Sequence, residues 1–497
     1  MNDFTRLARA SHVNHGTSVP SEELPWPQHE GPVLRPRRMH VEHDTRPDVT
    51  ALGGLALPVA LLRRLGAAEE IDARVRVFKR HFPYHESDHV LAQALMLYAG
   101  GTCLEDMAML QGDEAALKML GAIRTPDPTT SGDFLRRFSD VEALTGLRES
   151  GDVLQKRAWR KLAGKKKRPL GVLHLDGHTK ELYGLSKEAA DFDYKSRWSY
   201  SVLLASLDNG ECVAARLRPG NVRSSDGAAE LLVTVLARML ASFEHVLVLA
   251  DSDYDRADIR EVCDAHGVWY AFVGRETANR PGIAAGCEQW RPFRTRAHRQ
   301  REARGEIKKR RGKRNRRRTR ARTRGYLDLA LQRQFVSETS GPDGTRLVVR
   351  RQRLAVSEGK AGQRQLWEEI RYRYVVTNLP PEWSAEDVLD ETYRRCDQEN
   401  VIEQLGSGIA MWRMPVAEFA GNAAWLEVAR LAWNLGRWVA AIALPAECGR
   451  WEWKRLRRAF VDVAVQVVHQ SRQLRIRILG AYRFAATFMR AHALLQA

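Results

Sequence analysis

Apolar positions along the chain change period twice. From residue 50 to 150 they recur every three or four residues, as in SDHVLAQALMLYAGG, EAALKMLG and TTSGDFLRRFSDVEALTGL, which predicts a mainly helical module. Ser87 is the expected cap of the first of these helices, and Gly100 and Gly101 its stop. After the linker RKLAGKKKRPLG the pattern turns to strands over 172–176, 199–207 and 211–217, the last two joined as a hairpin by Asp208, Asn209 and Gly210. A helix over 228–243, a strand over 246–250, a helix through DRADIREVCDAHG and a strand VWYAFVG follow. This order predicts a mixed α/β sheet. Between Gly274 and Leu379 the alternation is lost, and TRLVVRRQRL and EEIRYRYVVTNLP predict an antiparallel insertion. ETYRRCDQENVIEQL returns to helical spacing. The tail from Ala420 reads as helical, and the Trp stripe of GNAAWLEVARLAWNLGRWVAAIAL as core in preference to a base-stacking platform.

Two of the strand-like runs, GVLHLDG at 171–177 and HVLVLADSD at 245–253, end in aspartate. A strand buried on both faces delivers its last side chain to a sheet edge, where a carboxylate can hold a metal ion. Asp176 and Asp251 are therefore candidate ligands, although each taken alone reads first as turn punctuation. Asp253 is a rival to Asp251 but lies further beyond the apolar strand. A third carboxylate comes from the helix through ETYRRCDQENVIEQL, where Arg395, Glu399 and Glu403 fall on one side, one turn apart, with Arg395 placed to orient Glu399. The competing reading there is a solvated face with ordinary ion pairing. Carboxylates from two strands and a helix can hold two divalent cations, and hard oxygen ligands favour Mg²⁺ or Mn²⁺ over zinc.

Charge narrows the partner. A formal net charge of +18 and a pI near 9.9 favour a polyanion such as nucleic acid. Twelve of the 17 residues over 308–324 are basic and none is acidic. Within that run Arg310, Arg311, Lys313, Arg314, Arg316, Arg317, Arg318 and Arg320 are candidate phosphate contacts, the alternative being a solvated loop or a localisation signal. The six cysteines show no CxxC or Cys/His ligand spacing, which argues against structural zinc and for a reduced, cytoplasmic setting. The start lacks an apolar signal core, and Glu427, Arg430 and Arg437 interrupt the longest apolar stretch, so a soluble protein with no membrane partner is expected.

The order LHLDG, LADSDY, a long insertion and YRRCDQEN resembles the DDE transposases of bacterial insertion sequences. The phrases YSVLLASLDNGECVAARLRPGN, YVVTNLP and GNAAWLEVARLAWNL extend the resemblance over nearly the whole chain, most closely to the insertion sequence thirteen-eighty branch. It implies an RNase H-like mixed sheet core interrupted by a β-rich insertion, with helical N-terminal and C-terminal regions. By segment this gives a flexible arm over 1–45, a helical DNA-binding domain over 46–165 and the first part of the catalytic core over 166–275. The insertion with its basic segment covers 276–385, the second core part with the Glu helix 386–415, and a helical C-terminal domain 416–497. The resemblance implies a magnesium-dependent enzyme with two metal ions that cuts at terminal inverted repeats and joins the freed ends to target DNA. It also implies a homodimer in a synaptic complex, nucleoid-associated in the bacterial cytoplasm. Carried over by motif, Asp176, Asp251 and Glu399 are the catalytic and metal-binding triad, with Tyr393 and Arg395 as accessory residues. The family signature spaces Tyr, Arg, Glu and Lys by two, three and six residues. Here Tyr393 is one residue too close to Arg395, and Gly406 stands at the lysine position, leaving Arg394, Lys360 or the basic run to meet the end phosphate. A nuclease without strand transfer and a non-catalytic basic nucleic-acid-binding protein are the alternative functions.

Overall fold

The structure is a computed structural model that describes residues 39, 41, 46–139, 141–164, 166–275, 277, 279–305, 334–341, 344–353 and 370–497. The basic candidates from Arg310 to Arg320, Lys360 and most of the amino-terminal arm lie outside these residues.

A short strand β1 (Val49–Thr50) precedes the helices α1 (Ala56–Leu65), α2 (Ala67–Arg74), α3 (Glu86–Ala99), α4 (Met107–Gln111), α5 (Glu114–Leu120), α6 (Pro128–Arg136) and α7 (Val141–Ala163). Ser87 does not cap α3. His85 precedes the helix and donates its N–H to Asp88, while the Ser87 hydroxyl and N–H both bind Asp72, fastening α3 to α2. Gly100 ends α3 at φ +104°, a conformation that disfavours a side chain. The linker is shorter than expected, because α7 continues to Ala163 and β2 (Arg168–Glu181) begins five residues later.

β2 is the centre of the sheet. With β3 (Asp191–Phe192), β4 (Trp198–Leu207), β5 (Cys212–Pro219), β6 (Phe243–Ala250), β7 (Trp269–Val273), β8 (Arg291–Pro292), β9 (Gln334–Ser340), β10 (Arg346–Arg353) and β11 (Ile370–Thr377) it forms one ten-stranded layer. β2 pairs antiparallel with β4 and parallel with β6, β5 lies outside β4, and β7 runs parallel to β6. The β4–β5 turn is the expected hairpin, with Gly210 at φ +82°. The long strands therefore run β5-β4-β2-β6-β7 across the layer. Beyond β7 the antiparallel strands of the insertion continue this same layer, because β11 pairs with β7 through Val375 and Val273. A bare edge on the apolar β7 would leave its backbone groups unpaired, and β11 satisfies them.

Among the later elements are α8 (Ala228–Leu240), α9 (Ala257–Ala265), α10 (Arg280–Ala285), α11 (Arg296–Ala303), α12 (Ala385–Tyr393), α13 (Cys396–Ser407), α14 (Phe419–Ala443), α15 (Trp453–Phe460) and α16 (Ala485–Gln496). α8 and α9 cover one sheet face through Leu232, Leu236 and Ile259. On the other face α12 packs against β7 and the insertion strands β9 and β10, with Val388 and Leu389 in the same core as Leu247 and Leu249 of β6. Beside it the amino-terminal helices and α14 share a core with β4 and β5, in which Trp425, Trp433 and Trp438 are fully buried. The tail is not wholly helical. Val465, Val467, Leu474, Ile476 and Ile478 alternate with period two, and β12 (Val465–Gln470) and β13 (Gln473–Ile478) form a hairpin turned by Ser471 and Arg472, both at positive φ. β12 also pairs with β1, so segments near the two ends of the described chain lie side by side. No helix among the described residues is long and apolar enough to cross a membrane.

Candidate active site

Asp176 does not end its strand. β2 runs on to Glu181, and it is the neighbouring β6 that stops at Ala250. His174 pairs with Leu249, so two residues further along each strand Asp176 stands level with Asp251. The two-residue period puts both carboxylates on the face that carries Val172, Leu247 and Leu249, beside α12. Asp176 Oδ1 accepts the Gly177 N–H at 2.8 Å, and Asp251 Oδ1 accepts the Asp253 N–H at 2.9 Å. Asp253 contributes that backbone group and is itself exposed.

The single helix predicted around Glu399 is two, α12 and α13, joined by Arg394 and Arg395. Arg395 does not orient Glu399. Its Nη1 lies 3.5 Å from Asp176 Oδ2 and 3.9 Å from Asp251 Oδ2, between the two aspartates. Glu399 is exposed on the first turn of α13, near enough for its charge to act on Asp176. Among the described residues no three carboxylate, histidine or cysteine side chains converge as a metal site. Tyr393 is not brought to the aspartates. Its hydroxyl accepts from Arg350 on β10 and its ring packs 5.7 Å from Phe293. Tyr393 is the last residue of α12, and the junction at Arg394 and Arg395 separates it from α13.

Burial pushes the Asp176 carboxyl up to about 6; the Gly177 N–H and Arg395 pull it down, while Asp251 and Glu399 push it further up. Burial raises Asp251 as well. Two hard-oxygen carboxylates held close in a place that disfavours their charge are a donor pair suited to a divalent cation. Sequence reasoning missed the residues that support them. His174, one pleat before Asp176, is lowered to about 3 by burial and by the charges of Arg394 and Arg395, and is therefore neutral at physiological pH. Gln398 on α13 is buried and accepts the Ser206 hydroxyl of β4 at 2.6 Å, tying the helix of Glu399 to the sheet. Arg394 binds Glu391 and, at 3.3 Å, Asp208. The signal available for Gln398 was a polar residue at the buried side of an amphipathic helix, which demands a partner.

A cavity of about 470 Å³ adjoins the site, lined among others by His178, Lys180, Glu403, Gly406, Trp412 and Arg413. His178 and Lys180 follow Asp176 on its own face of β2, whereas Glu181 is exposed. The His178 ring stacks on Trp412 with centroids 4.5 Å apart. Any side chain at Gly406 would bring its Cβ to 2.4 Å from Trp412 Cδ1, so the glycine at the lysine position makes room for the indole.

Fold and site together define an α/β protein with paired acidic side chains on one face of a mixed sheet. Residues 32–497 match the family described as transposase DDE domain group 1, and the chain belongs to that family. It is thus a DDE transposase, of a family whose members act on DNA and generally use divalent metal ions. No curated protein matches the chain.

Proposed function

We propose that the chain binds the terminal inverted repeats of an insertion sequence of the thirteen-eighty branch, cuts there and transfers the freed 3′ ends to target DNA. The observation that carries this reading is the placing of Asp176 and Asp251 level on one sheet face, in a chain of this family. The strand order β5-β4-β2-β6-β7, with only β4 antiparallel to its neighbours in the trio β4-β2-β6, supports an RNase H-like core over 166–275 and 386–415. Asp176, Asp251 and Glu399 are its metal ligands, with Glu399 closing on the aspartates when DNA is engaged. Those three residues would hold two Mg²⁺ or Mn²⁺ ions, which when bound would supply activation of the attacking water or hydroxyl and stabilisation of the leaving oxygen. The chain's own residues do the rest. β2 and β6 fix the two aspartates, Gln398 anchors the Glu399 helix, and neutral His174 adds no charge beneath them. The helices of 46–165, the insertion of 276–385 and the basic run hold double-stranded DNA, in a homodimer that pairs two ends at the bacterial nucleoid.

The test is cleavage and joining of labelled element ends in Mg²⁺. Asp176→Asn, Asp251→Asn and Glu399→Gln are each expected to lower end cleavage roughly a thousandfold or more while leaving DNA affinity within about twofold. Cutting without joining by the wild type makes the chain a nuclease. Unchanged activity in all three variants removes the triad assignment.

A further inference from the structure

The guanidinium of Arg395 pairs with both aspartates, the same two carboxylates that a cation ligated by both must bridge. Its Nη1 is 3.5 Å from Asp176 Oδ2 and 3.9 Å from Asp251 Oδ2. A magnesium ion bound to both carboxylates sits about 2.1 Å from each oxygen, so ion and guanidinium compete for the same two carboxylates. The arginine is well placed to act as a stopper. It lies at the junction of α12 and α13, its side chain is mostly buried, and Arg394 beside it is fixed by Glu391 and Asp208.

We propose that Arg395 is a plug that keeps Asp176 and Asp251 from loading a divalent cation until a DNA phosphate draws it away. This rests on the reading of those aspartates as metal ligands. Withdrawing the guanidinium leaves it needing another anion, and a backbone phosphate accepts its planar fork in bidentate fashion. DNA and metal then favour the same position of Arg395, and two ligands that favour one state must tighten each other's binding by equal factors. The consequence is an order of assembly in which the free protein holds metal weakly and becomes loaded only on DNA.

The experiment is Mn²⁺ binding to the full chain, read from the free Mn²⁺ signal in electron paramagnetic resonance. It is done with and without a long mixed-sequence duplex, subtracting the ions the duplex holds alone. Wild type is expected to bind Mn²⁺ roughly tenfold or more tightly on DNA than off it. Arg395→Gln is expected to bind Mn²⁺ without DNA several-fold more tightly than wild type does without it, and to respond to DNA less than wild type, the remaining response coming from closure of Glu399. Arg395→Lys keeps a positive charge in place and is expected to retain most of the DNA dependence, which separates loss of the plug from a packing defect. An Arg395→Gln protein that binds Mn²⁺ no better than wild type off DNA, or that keeps the full DNA effect, overturns the proposal. Asp176→Asn reports on the underlying reading separately. If it binds Mn²⁺ as wild type does in both conditions, the metal-ligand assignment itself fails.

Discussion

Gly406 shows how one position decides between a family's habit and this chain's packing. A lysine there matches the family spacing, yet its Cβ and stem collide with Trp412, whose indole closes against the helix and stacks on His178. Gly406→Lys is therefore expected to destabilise the fold by about 1–3 kcal/mol through overpacking and not to raise activity. A urea denaturation midpoint equal to wild type, with faster end cleavage, would contradict that. The candidate residues were legible to different depths. The aspartates stood out because a strand buried on both faces is apolar until it must meet solvent or an ion. Arg395 and Glu399 were legible as neighbours on one helix, but the partner of Arg395 was not, because ion pairing between sequence-distant groups depends on the register of β2 with β6. Tyr393 ends α12 and meets Arg350 of the insertion, a long-range contact with no local signature.

At the scale of elements, a buried carboxylate joins parts of the chain that are far apart in sequence. Glu211, in the β4–β5 turn and fully buried, accepts hydrogen bonds on one oxygen from Gln155 Nε2 at 2.8 Å, Trp159 Nε1 at 2.8 Å and Trp438 Nε1 at 2.7 Å. It thereby binds α7 and α14 to the hairpin next to β2. Glu211→Ala strips the acceptor from three buried donors and is expected to cost about 3 kcal/mol or more in urea unfolding, with Glu211→Gln milder because its carbonyl still accepts. A loss below about 1 kcal/mol for the alanine variant would show that the donors find other partners. The sequence displays elements well and their partners poorly. Each long strand of the core was readable from its apolar run, whereas the joining of β11 to β7 is a long-range pairing with no local signature. The C-terminal hairpin did have one, the alternation from Val465 to Ile478, outweighed by the helical pattern on either side.

For the whole molecule, acid is the informative perturbation. Burial lowers His89 and His178 to about 4 and His174 to about 3, from an ordinary 6.5. Their folded pKa values are depressed, so the unfolded chain takes up protons first as pH falls, and stability present above pH 6.5 is lost down to about 4. Asp176, raised to about 6, acts in the opposite sense, gaining stability as pH falls from 6 toward 3.8, and Asp251 and Asp462, also raised by burial, act with it. His89 lies flat against Phe134 at 4.5 Å, so His89→Phe keeps the stacking and is expected to remove up to ~3 kcal/mol of the acid loss. Equal slopes of stability against pH for variant and wild type would contradict the assignment. The three carboxylates proposed as ligands, from β2, the end of β6 and α13, are expected to meet around metal on DNA. Fe²⁺ put in place of Mg²⁺ in the DNA-bound protein, with ascorbate and peroxide, cuts the polypeptide wherever the metal sits. Cuts are expected close to residues 176, 251 and 399 together, all abolished by Asp176→Asn. Cuts that leave 399 untouched, or that persist in Asp176→Asn, would contradict the ligand assignment.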